Sequence, residues 1–244
     1  VIVTTTFTTR KIRLRDNNVE DKFEYLNKKA GEIADQAKKL YPKVLIAGGL
    51  PPQYLTYEAD TRSDKEISDN FNSQAEILNP YVDFFYFDVL SSVREFNIGI
   101  ESIKKFNKPY LIGAHISEGV NLPSGEKISE IITEIHHEKL LGIILSCISP
   151  ENFELNLNEL KNLKVPFGFK LNAFIKTNPK PNYTGAYRQS KSGNPNEFLG
   201  VRKDLTPIKM SEFAKKFRDS GATILGGCCE TRPSHIEMFA KLKV

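Results

Sequence analysis

The stretch LGIILSCISPE, Leu141–Glu151, sets the architecture of the chain. Its first part is an apolar run rich in Ile and Leu without strict alternation, the pattern of a strand buried on both faces. Its second part, Ser149–Pro150–Glu151, is a helix start: a serine N-cap followed by proline at the first helical position. A buried strand that runs straight into a helix is the repeating unit of a parallel sheet.

The same alternation extends in both directions. Apolar runs occur at Val1–Phe7, Val44–Gly48, Asp83–Asp88, Pro109–Ile116, Leu141–Cys147, Pro166–Leu171 and Thr223–Gly227. Helical periodicity lies between them. Val19–Leu40 carries Phe23, Leu26, Ala30, Ile33, Ala34 and Ala37 at helical spacing, and Asp64–Leu78 carries Ile67, Phe71, Ala75 and Leu78. Val93–Phe106, Ile128–Glu138 and Lys209–Asp219 follow the same rule, and Arg232–Pro233–Ser234 opens a last helix. Two α/β architectures fit: a (β/α)8 TIM-type barrel with its first strand absent from this chain, or an open doubly wound sheet. The doubly wound sheet usually announces itself by G-x-G-x-x-G after its first strand, which this sequence lacks, so the barrel is the expectation, as a single domain over 1–244. The chain opens at Val1, inside a strand-like run, which suggests a missing upstream segment. Asn172–Pro207, rich in Asn, Pro, Lys, Ser and Gly, breaks the rhythm; a loop of that length is usually functional or disordered. In a barrel it lies over the C-terminal mouth.

Composition sets the class. Of 244 residues, 40% are hydrophobic and 26% charged, as in ordinary globular proteins. No apolar run approaches the roughly 18 residues that span a bilayer, and no signal-peptide pattern opens the chain. The net charge of +4 comes from scattered lysines, not from a basic face that would mark a nucleic-acid partner. Three cysteines, two of them adjacent, argue against a disulfide framework and for a reducing, cytoplasmic setting.

Those cysteines carry the chemistry. Cys147 ends LGIILSC, and Cys228 and Cys229 end TILGGCC. All three therefore fall at C-terminal strand ends, where barrel active sites are built. Three thiolates can hold Zn2+ and leave its fourth position open, the mark of a catalytic site. Zinc also lowers the pKa of a bound thiol. Adjacent ligands require a sharp turn, and Gly226 and Gly227 give room for a close backbone approach. Buried inert cysteines are the bland alternative.

The segment GGCCETRPSHI, Gly226–Ile236, resembles the signature of the homocysteine S-methyltransferase family, and SCISPE, Ser146–Glu151, resembles its other cysteine motif. The resemblance covers essentially the whole chain. It implies a (β/α)8 barrel, zinc on Cys147, Cys228 and Cys229, and methyl transfer to homocysteine to give methionine. S-methylmethionine, S-adenosylmethionine and betaine all fit as donor. Asp88, in DFFYFDVLSSVRE, stands where the family carries a glutamate for the amino group of homocysteine. Asn172 matches a family asparagine, and Thr4, Thr6 and Phe7 fall on a strand similar to the family's second and are expected to line the pocket, with plain barrel core the equal alternative for Phe7. Two features depart from the family: its Asp-Gly-Gly strand has no match, and its glycine after the Cys pair is Glu230 here. A non-catalytic zinc- or thiol-binding relative is the alternative these departures keep open. A redox barrel fits less well, because redox pairs are normally C-x-x-C.

Outside the resemblance, His115 ends a strand and faces the mouth, as a substrate or proton-relay group or as a structural histidine. His136 and His137 read as surface residues, and His235 as a shaper of its turn. Tyr54, Tyr57, Tyr183 and Tyr187, on loops, either offer aromatic faces to an onium donor or, as is more common for loop tyrosines, serve as plain packing. The expected partners are small molecules, with no nucleic acid and no membrane. The sequence leaves a homo-oligomer open.

Overall fold

A computed structural model describes residues 1–135, 138–179 and 196–243. Its strands are β1 (Ile2–Val3), β2 (Ile46–Leu50), β3 (Phe84–Leu90), β4 (Tyr110–Ala114), β5 (Leu140–Ile148), β6 (Phe167–Leu171) and β7 (Ile224–Gly227). They form one parallel sheet in chain order, β1 beside β2 and so on to β7. A doubly wound sheet reverses its strand order at a switch point. The unbroken order here is that of a singly wound α/β fold. The helices are α1 (Lys11–Asp16), α2 (Phe23–Leu40), α3 (Asp64–Leu78), α4 (Val93–Ile103), α5 (Ile128–Glu134), α6 (Pro150–Asn162), α7 (Pro207–Asp219) and α8 (Pro233–Ala240). Among the described residues, no helix is long and apolar enough to cross a membrane.

Local chemistry starts the helices where the sequence places them. Ser63 accepts from the Glu66 amide and Glu66 reaches back, a capping box at α3. Ser149 accepts from the Asn152 amide at 3.2 Å with Pro150 at the first helical position of α6. Thr206 does the same for α7. The first strand is shorter than the run Val1–Phe7 suggests. Past Val3 the threonine hydroxyls take over the pairing: Thr4 Oγ1 accepts from the Gly49 amide at 2.9 Å and Thr6 Oγ1 donates to the Gly49 carbonyl at 2.6 Å. Side-chain bonds of this kind divert threonine backbone from a ladder. Thr4 and Thr6 are both buried in this joint.

The sheet has two apolar faces. Phe85, Phe87, Ile112, Ile143, Leu145 and Phe169 face the helices and pack on Phe71, Phe96, Phe153 and Phe217. Phe153 lies 5.2 Å from Phe169 and 4.7 Å from Phe217, ring centre to ring centre. The other face gathers Ala47, Phe84, Tyr86, Leu111, Ile144 and Ile224, from strands β2 to β7, into one cluster. Side chains so far apart in strand order meet only if the sheet curls. Lys170 on β6 reaches Asp88 on β3 at 2.7 Å. In a flat sheet those strands would lie about 14 Å apart, at roughly 4.8 Å per strand.

One buried acid has a consequence for stability. Glu95, in the first turn of α4, is 1% exposed. Its amide donates to Ser92 Oγ at 3.1 Å, and that hydroxyl donates back to Oε2 at 2.8 Å. Burial raises its carboxyl to about 7, from an ordinary 4.5, although the Ser92 hydroxyl works against the rise. The fold therefore holds a proton that the unfolded chain releases. Its stabilising effect is full below about pH 4.5 and is lost as pH rises towards 7. At about 1.4 kcal/mol per pKa unit, the loss is roughly 3 kcal/mol. Glu95→Gln is expected to remove this slope and to be more stable than wild type at pH 8. Urea unfolding at several pH values checks it; parallel pH curves for the two proteins would refute it.

Candidate metal centre

The three sulfurs meet at one point of the C-terminal sheet edge. Cys147 Sγ lies 3.8 Å from Cys229 Sγ, Cys229 Sγ lies 4.0 Å from Cys228 Sγ, and all three fall within 4.8 Å of one another. Among the described residues this is the one group of three or more Cys, His, Asp or Glu placed to hold a metal ion.

Local backbone makes the meeting possible. On β5 the register shifts between Ser146 and Ile148, with Cys147 at φ 59°. Leu145 and Ile148 both keep to the helix-packed core, and Cys147, the extra residue, joins Tyr57, Val89, Phe174 and Leu199 at the mouth. A bulge re-aims a side chain in this way. β3 repeats the device, with a shift between Phe87 and Leu90 and Val89 at φ 66°, a region a β-branched residue rarely adopts. At β7 the chain stays tied to its neighbour beyond the strand. The Cys228 amide donates to the Leu171 carbonyl at 2.7 Å, and the Ala173 amide donates to the Cys229 carbonyl at 3.1 Å. Thr231 Oγ1 donates to the Cys228 carbonyl at 2.6 Å and fixes the turn. A Cβ on Gly227 would lie 2.4 Å from that hydroxyl, so this turn needs a glycine there.

Glu230 follows with φ 62°, a left-handed conformation that favours glycine, and lies 3.7 Å from Arg232. The departure from the family's glycine is thus accommodated at a backbone cost of about 1–2 kcal/mol. His235 closes the motif. Its Nδ1 accepts from the Arg232 amide at 3.0 Å. Nε2 therefore carries the proton and donates to the Leu205 carbonyl at 3.0 Å. Its part is to hold the start of α8.

Donors surround the sulfurs. Tyr57 Oη lies 3.6 Å from Cys147 Sγ, Asn172 Nδ2 lies 3.7 Å from it, and Asn196 Nδ2 lies 3.4 Å from Cys229 Sγ. Asn172 also donates to the Cys147 carbonyl at 2.7 Å, which steadies the bulge. The thiols of Cys228 and Cys229, against the effect of burial, hold Cys147 well below the ordinary thiol range; Tyr57 and the charge of Lys170 add to this. Cys147 in turn pushes Cys228 up to about 11, and both neighbours push Cys229 up. Three sulfurs this close share one negative charge readily, but further ionisation is opposed by repulsion. A divalent cation would relieve that repulsion. The spacing suits one: a tetrahedral centre with Zn–S bonds of about 2.3 Å has S–S edges of about 3.8 Å.

The other expected residues fall into two groups. Phe7 and Asn172 border the sulfurs, Phe7 as part of the apolar cluster around Cys147 and under Arg10 at 5.1 Å. His115 is buried beside them, with Nε2 2.5 Å from Ser117 Oγ and its ring centre 4.6 Å from that of Tyr57. It backs the tyrosine that meets Cys147. A shallow hollow, lined by Tyr57, His115, Cys147, Asn172, Phe174 and Leu199 among others, lies there. Thr4 and Thr6 are spent on the β1–β2 joint. Tyr54 packs under the Arg62 guanidinium at 4.8 Å. Tyr183, Tyr187, His136 and His137 lie outside the described residues.

Asp88 sits deeper, in a layer that sequence reasoning missed. Lys170 Nζ donates to Asp88 Oδ1 at 2.9 Å and Oδ2 at 2.7 Å. Tyr86 Oη donates to Asp88 Oδ1 at 2.6 Å and lies 2.5 Å from Ser146 Oγ. The layer fits because Gly113 has no side chain: a Cβ there would lie 2.5 Å from Ser146 Oγ. A lysine inside the apolar run PFGFKL, Pro166–Leu171, was the available signal.

Comparison with known proteins places this arrangement. A family model described as homocysteine S-methyltransferase matches residues 1–242. Homocysteine S-methyltransferase 1 of Zea mays is 24% identical over 221 residues, 85% of this chain and 64% of the relative. Betaine–homocysteine S-methyltransferase 1 of Mus musculus is 25% identical over 242 residues, 95% of this chain and 57% of the relative. The chain thus spans less than two thirds of the length of these curated relatives. The crystal structure of the homocysteine methyltransferase MmuM from Escherichia coli, metallated form, superposes with a TM-score of 0.77 at 16% identity, covering 99% of this chain and 78% of MmuM. At that identity the likeness speaks for the fold.

Proposed function

The chain belongs to the homocysteine S-methyltransferase family, and from that premise we propose that it transfers a methyl group from an onium donor to the thiolate of homocysteine, with zinc held by Cys147, Cys228 and Cys229. The observation that carries this reading is the sulfur triangle, with edges of 3.8 and 4.0 Å, at the ends of β5 and β7. The fold reading that goes with it is a (β/α)8 barrel whose C-terminal mouth holds the triangle; the curl of the sheet and its unbroken strand order support it.

Zinc, when bound, lowers the pKa of an acceptor thiol so that it is a thiolate at neutral pH. The chain's own residues do the rest. Asn172 and the bulge fix Cys147, and the Thr231 turn fixes the Cys pair, so the acceptor sulfur is presented in one place. Asp88 offers a carboxylate to the amino group of homocysteine. Tyr57 and Phe174 border the same hollow and offer faces that attract a sulfonium or quaternary ammonium carbon. The acceptor thiol gives its proton to water. A sulfur lone pair then forms the new S–CH3 bond, while the bond from methyl to the onium atom breaks and leaves its electron pair there. The products are methionine and a neutral thioether or amine. Alignment of the two reactants is the protein's main contribution to the rate.

The test is direct. The protein, its zinc content measured, is incubated with homocysteine and, in turn, S-methylmethionine, S-adenosylmethionine and betaine carrying a deuterated methyl group. Labelled methionine from at least one donor is expected in mass spectra. Stoichiometric zinc with no labelled methionine from any donor would instead establish a binding protein without turnover.

A further inference from the structure

We propose that Lys170 is a specificity residue of the acceptor site and receives the carboxylate of the amino-acid acceptor. The inference rests on the acceptor reading above and adds a residue to it. Lys170 lies on β6 in register with Gly226, two residues before the Cys pair, and its side chain reaches across the curl to Asp88 on β3. Its side chain is 18% exposed and that of Asp88 is 10% exposed. A charged pair at this depth is costly to assemble unless further partners complete it.

The hydrogen-bond inventory is incomplete in a telling way. An ammonium has three donors. Among the described residues, Lys170 Nζ donates to Asp88 alone, at 2.9 and 2.7 Å, while its charge lies 5.2 Å from the centre of the Tyr86 ring. One N–H remains. Among the same described residues, Asp88 Oδ1 accepts from both Lys170 and Tyr86, but Oδ2 accepts from Lys170 alone. One acceptor position remains there. The pair therefore offers one vacant donor beside one vacant acceptor.

Those vacancies match a zwitterion. In an α-amino acid the ammonium and the carboxylate share one carbon, so the two charges lie side by side. Laid antiparallel on Lys170 and Asp88, each charge of the acceptor meets its opposite, and neither protein group loses its partner. An acceptor with only the ammonium would place two cations on one carboxylate. An acceptor with only the carboxylate would place two anions on one cation. Both leave an unbalanced charge in a poorly hydrated site, where Coulomb terms are strong. The site is thus built for a free amino-acid thiol, and Lys170 is the half that reads the carboxylate.

Calorimetric binding of three thiols to the zinc-loaded protein tests this: homocysteine, its decarboxylated analogue 3-mercaptopropan-1-amine, and its deaminated analogue 4-mercaptobutanoate. The wild type is expected to bind the amine at least about tenfold more weakly than homocysteine, the worth of one charge-assisted hydrogen bond. Lys170→Met is expected to weaken homocysteine by a similar factor and to leave the amine's affinity undiminished or raised, since the second cation on Asp88 is gone, so that the preference for a carboxylate disappears. A merely structural lysine would weaken both ligands alike. The wild-type comparison needs no variant, and Lys170→Met with Asp88→Asn supplies a pair without a buried lone charge. An amine that binds the wild type as tightly as homocysteine overturns the inference and leaves the methyltransferase reading standing. Protein that retains zinc but binds none of the three thiols overturns both.

Discussion

Cys147→Ala is expected to purify without stoichiometric zinc and to show no measurable methyl transfer, while its circular dichroism stays that of the wild type. The energetics are those of a metal centre losing one ligand in four. Zinc sites are worth roughly 10–16 kcal/mol in apparent free energy at neutral pH, so one thiolate carries about 3 kcal/mol and its loss weakens binding by roughly two orders of magnitude. Two further losses follow at this position. Cys228 and Cys229 lie within 4.8 Å of Cys147, and Cys147 pushes both thiols up. With Cys147 gone, the remaining pair lies on one turn with a sulfur separation of 4.0 Å and no ligand from a second strand. The fold should persist, because the β5 bulge is held by its neighbours: the Asn172 amide donates to the Ile148 carbonyl, and Leu145 and Ile148 stay in the core. Cys147→Ser is the sharper control, with nearly the same shape and a poor zinc ligand. Elemental analysis of both variants with a deuterated-methyl assay is the measurement. Full zinc and full rate in either would remove the triangle from the mechanism.

Much of this site was legible before any coordinates. Each apolar run yields a strand, because runs without alternation have few options other than a buried parallel sheet. Cys147, Cys228 and Cys229 fall at strand ends, and the singly wound order brings the ends of β5 and β7 to one edge. Three aspects were not legible. The first strand ends at Val3 because Thr4 and Thr6 bond Gly49, a side-chain competition that an apolar pattern does not encode. Helix α1 is too short to show periodicity. Most consequential, the partner of Asp88 is 82 residues away in sequence. A lone lysine in an apolar strand hints at a buried charge, but only the curl of the sheet shows which carboxylate it meets.

Asp88→Ala is expected to destabilise the fold by about 3–5 kcal/mol, the cost of leaving a buried charge without its partner. The charge left behind is the Lys170 ammonium, and its exposure is too low for water to replace the carboxylate. Lys170→Met should cost a similar amount by stranding Asp88. The double variant Asp88→Leu with Lys170→Met should lie close to the wild type, because apolar side chains of similar volume relieve both desolvation penalties and can pack on Leu111 and Ile144. Urea unfolding of the wild type, Asp88→Leu, Lys170→Met and their double variant forms a double-mutant cycle, and a coupling energy below about 1 kcal/mol would show that the pair does not act as a unit. Alkaline pH gives an independent sign. In the wild type burial pulls the Lys170 pKa down, but Asp88, Tyr86 and Cys228 together outweigh it and hold the group well above the ordinary lysine range. That stabilisation is complete below the unfolded lysine pKa and is lost as pH rises through the folded one. In Asp88→Ala only burial and weaker neighbours act on the ammonium, so its folded pKa drops below the unfolded value. The folded state then releases its proton first, and stability rises with pH up to the unfolded pKa. Between pH 8 and 10 the Asp88→Ala variant should therefore gain on the wild type; a gap that stays constant would place Lys170 in water and not in the buried pair.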